Sequence, residues 1–280
     1  MKKLAVVFPG IGYTADKPLL HYCRRLAENS GYKTRVIVYS GFPDKAKGDR
    51  EKIRKACELA VLQAEEYLSD VDLTEYEDIL FIGKSIGTVA AASLAAHNPA
   101  RKKIRLLIYT PLEETFHGSL DDALAFTGSA DPWVGGENSR IPLLCAQQDI
   151  PCLVVQNANH SLETADPLND IRNMQEIMRL TGNYISREQV HRVSHYEDLL
   201  NKLKKLVSEP CLSDKKRMKV HTIANELSQY LASKEWKQDF ADDEAGLLPK
   251  NLKRGVLTED GIFSTLELIH EQMEMDNNAG

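Results

Sequence analysis

Cysteine and tryptophan are scarce in this sequence. Its 280 residues include five cysteines and two tryptophans. The cysteines are odd in number, are spread along the chain and form no Cys-x-x-Cys pair, which argues against a disulfide framework or a zinc knuckle. We therefore expect a protein of the reducing cytoplasm. The cysteines are Cys23, Cys57, Cys145, Cys152 and Cys211.

An excess of positive charge is also missing. The formal net charge at pH 7 is -6 and the pI is about 5.8. Nucleic acids and anionic membranes attract strongly basic surfaces. We therefore expect neither as a partner of this protein.

Long apolar runs are absent as well. The run Leu4–Phe8 follows two lysines, an arrangement that also begins signal peptides. It breaks at Pro9 and Gly10, however, and is shorter than the apolar region of a signal peptide. We interpret it as a first strand, and we find no other run long enough to span a bilayer.

The sequence does contain short apolar runs that alternate with amphipathic segments. Runs that are apolar throughout are typical of strands buried on both faces of a parallel sheet. We predict a doubly wound, mostly parallel α/β sheet over residues 1–183, with functional residues at the carboxyl ends of its strands. The predicted strands are 4–8, 34–39, 79–82, 104–109, 123–127 and 152–156, and the main helices are 17–29, 45–69, 141–147 and 168–180.

One strand end carries the pentapeptide Gly83-Lys84-Ser85-Ile86-Gly87, followed by a helix of small residues. In a Gly-x-Ser-x-Gly turn the serine backbone is strained, and the flanking glycines let strand and helix approach each other. Such a turn raises the Ser85 hydroxyl above the sheet and directs the Ile86 amide toward an oxyanion formed there. Ser85 is therefore the candidate nucleophile. We expect the Lys84 side chain to point to solvent.

This stretch resembles the nucleophile elbow of the α/β-hydrolase family. The resemblance implies a catalytic triad in the chain order serine, acid, histidine. Asp131, in Thr-Gly-Ser-Ala-Asp-Pro-Trp, follows the fifth strand and looks like the acid, and His160, in Asn-Ala-Asn-His-Ser, follows the sixth and looks like the base. The competing acids Asp121, Asp122 and Asp149 do not follow an apolar strand in the required place.

The resemblance also implies a second oxyanion-hole donor, from the loop after the first central strand. In Pro9-Gly10-Ile11-Gly12 we choose the amide of Ile11, with Gly12 as the alternative, although the family's frequent His-Gly opening is missing. The link 111–122 is too short for a large cap, so we expect an open site. The residues predicted to line the substrate pocket are Gly12, Tyr13, Lys84, Phe116 and Trp133.

Two phosphate-binding alternatives use the same residues. Gly83-Lys84-Ser85 could end a P-loop, but that motif needs a glycine where Asp78 stands. The loop from Gly10 to Ala15 matches the Gly-x-Gly-x-x-Ala pattern of dinucleotide sites. Such a site wants an acidic residue at the end of the second strand, where Tyr39 and Ser40 stand. Both alternatives are disfavoured.

The sequence changes character beyond residue 183, where strand-like runs give way to helical ones. Two amphipathic segments, 187–207 and 218–231, predict an antiparallel pair of helices. His191 and His195, one turn apart, could share a metal, but we find no third ligand and favour a solvated helix face.

Residues 188–273 are similar to a small bacterial helical domain of uncharacterised function. The acidic run Asp242–Glu244 and the basic pair Lys253-Arg254 are interpreted as loops that form internal ion pairs, or else as a docking surface for a partner. No nucleophile constellation is found in this part. We therefore predict that 184–280 is a separate helical domain for a protein partner or for homo-oligomerisation.

The sequence as a whole predicts a serine hydrolase of a small ester or thioester, without a metal or other cofactor. Ser85 attacks, His160 serves as general base and then acid, and Asp131 orients His160. Because His160 must be neutral, activity should rise as the pH passes through about 6 to 7. The alternative is a non-catalytic protein that keeps the hydrolase fold and binds a partner through its helical part.

Overall fold

A computed structural model describes residues 2–209, 213–258 and 261–267 of the chain. The chain divides into two compact units, of which the first ends at Ser186 and the second begins at Arg187. The first unit contains β1 (Lys3–Phe8), α1 (Pro18–Asn29), β2 (Lys33–Val36), α2 (Arg50–Leu68), β3 (Asp78–Lys84), α3 (Ile86–His97), β4 (Ile104–Tyr109), β5 (Ala123–Gly128), α4 (Ile141–Gln147), β6 (Cys152–Val155) and α5 (Pro167–Ser186).

The six strands form one parallel sheet in the order β2-β1-β3-β4-β5-β6. Alternate strand residues such as Phe81 and Ile108 join a hydrophobic core with α2, α3 and α4. On the opposite face the Tyr109 hydroxyl is 2.7 Å from Thr181 Oγ1 of α5. Helices therefore cover both faces, and the predicted doubly wound α/β sheet is confirmed. No large cap separates β4 from β5, whose link holds only the short 3-10 helix Glu113–Phe116.

A buried ion pair joins two of these strands near their amino ends. Arg105, on β4, is 2% exposed and pairs with Asp78 of β3 at 3.0 Å. Its guanidinium also donates to the Tyr32 hydroxyl and to the backbone carbonyls of Tyr184 and Ile185. Arg105 thus fixes the end of α5 to the amino end of the sheet.

Several element boundaries differ from the prediction for local reasons. The helix expected from residue 45 begins at Arg50, because Lys45 and Gly48 have positive φ and Asp49 caps the helix by accepting from the Lys52 amide. The helix expected to end at residue 180 continues to Ser186. It stops there because the next residue, Arg187, has a positive φ of 59°.

The described elements of the second unit are all helical. They are α6 (Glu188–Val207), α7 (Asp214–Ala232), α8 (Lys234–Glu244), the 3-10 turn Gly255–Leu257 and a helical stretch over 261–267. The rings of Tyr196 and Tyr230 stack at 3.8 Å between α6 and α7. The end of the predicted domain, residues 268–280, and Cys211 lie outside the described residues.

The charged tail of this unit differs from the predicted pair of loops. Asp242–Glu244 form the last turn of α8. Asp243 pairs with Arg254, so an internal ion pair does join the acidic and basic stretches. His195, one of the two histidines considered as metal ligands, makes a contact between helices instead. Its Nε2 lies 3.0 Å from Glu226 Oε1 of α7.

Candidate active site

Ser85 stands at the sharp turn between β3 and α3. Its φ of 56° and ψ of -126° are unusual for a residue with a side chain, and its amide donates to the Tyr109 carbonyl at 3.0 Å. A Cβ on Gly83 would lie 2.7 Å from Thr88 Cα, and one on Gly87 would overlap the carbonyl oxygen of Phe8. Only glycine fits at both positions, which is why this pentapeptide can place strand and helix so close together.

A chain of hydrogen bonds joins the three residues predicted as the triad. Ser85 Oγ lies 2.7 Å from His160 Nε2, and His160 Nδ1 lies 2.7 Å from Asp131 Oδ2. An ionised carboxylate only accepts hydrogen bonds, so Nδ1 carries the proton and Nε2 is left to accept from the serine hydroxyl. This is the arrangement that a general base needs in order to activate a hydroxyl.

The two loops that carry Asp131 and His160 leave neighbouring strands, β5 and β6, and pack on each other. The amide of Ala130 donates to the Ala158 carbonyl at 3.0 Å. Gly128 lies so close to that carbonyl that it has no room for a side chain. The acid and the base are therefore held at a fixed separation by backbone contacts.

Asp131 is fully buried, and each of its two carboxylate oxygens takes part in a hydrogen bond. Its Oδ1 accepts from the Trp133 amide at 2.9 Å, while Oδ2 faces His160. The Trp133 ring stacks on the His160 ring with centroids 5.0 Å apart and an interplanar angle of 20°. Trp133, predicted as a pocket residue, thus covers one face of the imidazole.

The environment favours neutral His160. Burial lowers its pKa, hydrogen bonding to Asp131 acts in the opposite direction, and the positive charge of Lys84 lowers the pKa further. Neutral imidazole is the form that can accept the proton of Ser85.

The two backbone amides predicted for the oxyanion hole, those of Ile11 and Ile86, lie beside Ser85. Among the described residues no hydrogen bond is made by the amide of Ile11, in the turn after β1, or by that of Ile86, at the start of α3. A Cβ on Gly10 would lie 3.0 Å from Ser85 Cβ, so this turn packs directly on the serine. Both amides predicted for the oxyanion hole are available for an external acceptor.

The other residues predicted to line the substrate pocket lie in different surroundings. Lys84 does not point to solvent: it is 1% exposed and its Nζ lies 4.9 Å from the centroid of the Tyr13 ring. That prediction was wrong because the last position of β3 faces inward beneath the turn after β1. Phe116 is a buried member of the core that contains α2 and α3, and Gly12 has φ of 67° with open space around it. Their role in substrate binding stays a prediction.

The competing acids lie in other contacts. Asp121 forms an exposed bidentate pair with Arg101, and Asp122 accepts from the Tyr184 hydroxyl at 2.8 Å. Neither contact involves His160.

Some supporting residues were not recognised from the sequence. The Thr88 hydroxyl donates to the Ser85 carbonyl and lies 2.6 Å from Thr115 Oγ1, which braces the start of α3. The side chain of Asn159 accepts from the Ser161 amide at 2.7 Å and shapes the turn that presents His160. The Asn-x-Ser spacing is an Asx-turn signal that could have identified Asn159.

A cavity of about 570 Å³ lies elsewhere, beside the edge strand β6 and the start of α5. None of the three triad residues lines it, so its volume is no measure of an acyl pocket at Ser85. Among the described residues no cluster of three histidine, cysteine or acidic side chains could hold a metal ion. No helix in the described part of the chain has the length and apolar character to cross a bilayer.

Comparison with known families identifies the C-terminal part. Residues 171–276 match the family described as Domain of unknown function (DUF4298). The C-terminal region therefore carries this domain. Its first matched residues lie in α5, within the first compact unit. The family's description names no activity, so the interaction or oligomerisation role of this region stays a prediction.

Comparison with solved structures finds proteins described as hydrolases or esterases that match the N-terminal part of the chain. An alpha-beta serine hydrolase homologue from Coxiella burnetii is 20% identical with a TM-score of 0.43, covering 64% of this chain and 84% of that one. Est1E from Butyrivibrio proteoclasticus is 11% identical with a TM-score of 0.45, covering 66% and 89%. The esterase Pf2001 of Pyrococcus furiosus is 13% identical with a TM-score of 0.44, covering 66% and 83%.

Likeness at this level says nothing of the activity of this chain. No curated protein matches the chain.

Proposed function

We propose that this protein is a serine hydrolase that cleaves a small ester or thioester through an acyl-enzyme on Ser85. The observation that carries the proposal is the continuous hydrogen bonding from Asp131 through His160 to Ser85. The strained backbone at Ser85 and the amides of Ile11 and Ile86 support it, because such a turn exposes the serine hydroxyl and such amides can stabilise the oxyanion of acyl transfer.

The first half of the reaction forms the acyl-enzyme. His160 Nε2 takes the proton of Ser85 as Oγ attacks the carbonyl carbon, and the negative charge that develops on the carbonyl oxygen is stabilised by the amides of Ile11 and Ile86. Asp131 holds the Nδ1–H tautomer and stabilises the imidazolium. The tetrahedral intermediate collapses when His160 returns its proton to the leaving alcohol or thiol.

The second half restores the enzyme. Water takes the place of the leaving group, His160 removes a proton from it, and the resulting tetrahedral intermediate expels Ser85 Oγ. The acid product leaves, and Ser85 regains its proton from His160. No cofactor enters either half.

A fluorophosphonate probe tests this proposal because it reacts with a serine that a neighbouring base activates. We expect wild-type protein to be labelled on the peptide that contains Ser85 and the Ser85→Ala variant to remain unlabelled. Ser93→Ala, on the same helix, is the matched control and should label normally. Labelling that survives Ser85→Ala, or its absence from wild type with a range of probes, would contradict the proposal.

The acyl and leaving groups can be narrowed with graded substrates. We expect hydrolysis within a series of p-nitrophenyl esters and acyl-CoA thioesters of increasing chain length, with a preference for short acyl chains. If none is cleaved by protein that reacts with the probe, the small-substrate assignment is wrong. If the protein is also inert to the probe, the non-catalytic binding protein is the better account.

A further inference from the structure

Lys84 has a buried amine beside the nucleophile, and this amine takes no part in the proposed acyl transfer. It is the last residue of β3 and immediately precedes Ser85. Only 1% of the side chain is exposed, and among the described residues its ammonium has no hydrogen-bonded partner. An unpaired buried ammonium is costly, so its retention here calls for a compensating contact.

That contact is the ring of Tyr13. Lys84 Nζ lies 4.9 Å from the centroid of this ring, within the range of a cation–π interaction. Tyr13 is itself held at both ends: its backbone exchanges two hydrogen bonds with Gly10, at 3.2 and 3.3 Å, and its hydroxyl accepts from the Leu19 amide. The ring is therefore a fixed surface for Lys84 to pack against.

The turn closed by Gly10 and Tyr13 contains Ile11, whose amide is a proposed oxyanion donor. At Gly10 a Cβ would lie 3.0 Å from Ser85 Cβ and 3.6 Å from Lys84 Cγ. The turn thus packs on both residues. Through Lys84 and Tyr13, the strand that carries the nucleophile is joined to the turn that carries the amide.

The charge of Lys84 changes near neutral pH. Burial lowers the pKa of Lys84 to about 7, and the negative charges of Asp131 and Glu163 act in the opposite direction. In turn, the Lys84 ammonium lowers the pKa of His160. The charged and titratable groups around Lys84 come from three segments. Tyr13 lies in the turn after β1, and Lys17, just before α1, also lies over the Tyr13 ring. Asp131 follows β5, and His160 and Glu163 follow β6.

We propose that Lys84 is a positioning residue whose ammonium, packed on the Tyr13 ring, holds the 10–13 turn and the Ile11 amide against Ser85. The proposal rests on the proposed function, because the Ile11 amide matters only if an oxyanion forms. It assigns no proton transfer to Lys84. It does require the protonated form, because a neutral amine has little attraction for the face of a ring.

The rate of fluorophosphonate labelling at Ser85 measures this role without a known substrate. Lys84→Met and Tyr13→Leu should each slow labelling at pH 6.5, by about two- to thirtyfold. The double variant should be no slower than the slower single one, because both remove the same contact. Lys84→Arg and Tyr13→Phe, which keep the cation or the ring, should lose much less than Lys84→Met and Tyr13→Leu.

The pH profile of labelling separates positioning from mere packing. In wild type the rate should decline above pH 7 as Lys84 loses its proton, and Lys84→Arg should abolish that decline because guanidinium stays charged. The exposed-lysine control Lys33→Met should keep the wild-type profile. Two results would overturn this inference and leave the proposed function intact. One is that Lys84→Met and Tyr13→Leu label as fast as wild type. The other is that they label more slowly while Lys84→Arg still shows the wild-type decline above pH 7. Wild type that does not label at all would instead overturn the proposed function.

Discussion

Gly128 packs against the carbonyl oxygen of Ala158, with no space for a Cβ between them. The contact joins the loop that carries Asp131 to the loop that carries His160, three and two residues further along. The geometry of the relay therefore depends on backbone packing that lies outside the three catalytic side chains.

Replacing Gly128 by alanine should separate these loops. The methyl group must displace the Ala158 carbonyl, and a shift of about 1 Å at a catalytic group costs about a hundredfold in rate. We expect kcat for a p-nitrophenyl ester to fall by that order, with about 1–3 kcal/mol lost from the free energy of unfolding. Gly118→Ala is the control, since its Cβ would meet Ala96 Cβ at an ordinary 3.8 Å. Equal activities of the two variants would show that the loops tolerate separation.

Asp131→Asn should damage catalysis more than folding. The amide can donate to His160 Nδ1, which places the imidazole proton on Nε2 and leaves no acceptor for Ser85. In proteins with this constellation the corresponding change lowers kcat about ten-thousandfold. Steady-state kinetics and thermal unfolding together measure both effects. Asp121→Asn, at the exposed pair with Arg101, should leave kcat unchanged. A loss below about tenfold in Asp131→Asn would remove Asp131 from the triad.

Activity should fall on the acidic side of neutrality with a midpoint below that of free histidine. Protonated His160 cannot accept from Ser85, and burial lowers its pKa from the usual value of 6.5. The log of kcat/KM should therefore rise with pH through a midpoint below 6.5, before the separate decline above pH 7 that loss of the Lys84 proton is expected to cause. This direction favours the lower part of the interval of 6 to 7 that the sequence predicts, or a value below it. An acidic limb centred above 7, or none at all, would show that a different group acts as the base.

Arg105→Met should destabilise the first unit strongly. Removing the guanidinium takes the charged partner from Asp78, which keeps the Tyr32 hydroxyl, and takes donors from the carbonyls of Tyr184 and Ile185. Loss of one member of a buried pair costs about 3–5 kcal/mol. Urea unfolding should show this loss at pH 7. Arg101→Met breaks an exposed pair with Asp121 and should cost at most about 1 kcal/mol. Similar losses in the two variants would mean that burial of Arg105 adds nothing.

The fold was largely predictable because its signals are local. The apolar runs that became β3 and β4 have no polar face, which is the signature of a strand covered on both sides, and the Gly-x-Ser-x-Gly spacing fixes the turn that follows β3. Strand ends in a parallel sheet share one edge, and the chain order implied by the resemblance to the α/β-hydrolase family singles out Asp131 and His160 as the partners of Ser85 at that edge.

What the sequence could not supply depends on contacts between distant segments. A lysine at a strand end usually reaches solvent, and the burial of Lys84 depends on a ring more than seventy residues earlier in the chain, which no spacing rule identifies. The stacking of Trp133 on His160 depends in the same way on how two loops meet. The polar composition of residues 242–244 predicts a loop, yet α8 includes them and buries Asp239 and Asp242 against partners on α6.

The central claim is that Ser85 carries the acyl group during turnover. Rapid mixing of wild-type protein with a p-nitrophenyl ester, acid quenching and peptide mass spectrometry test it directly. The account predicts a burst of p-nitrophenol stoichiometric with enzyme and an acyl adduct on the peptide that contains Ser85, both absent from Ser85→Ala. Turnover by wild type with the adduct on another residue, or turnover that persists in Ser85→Ala, would contradict it.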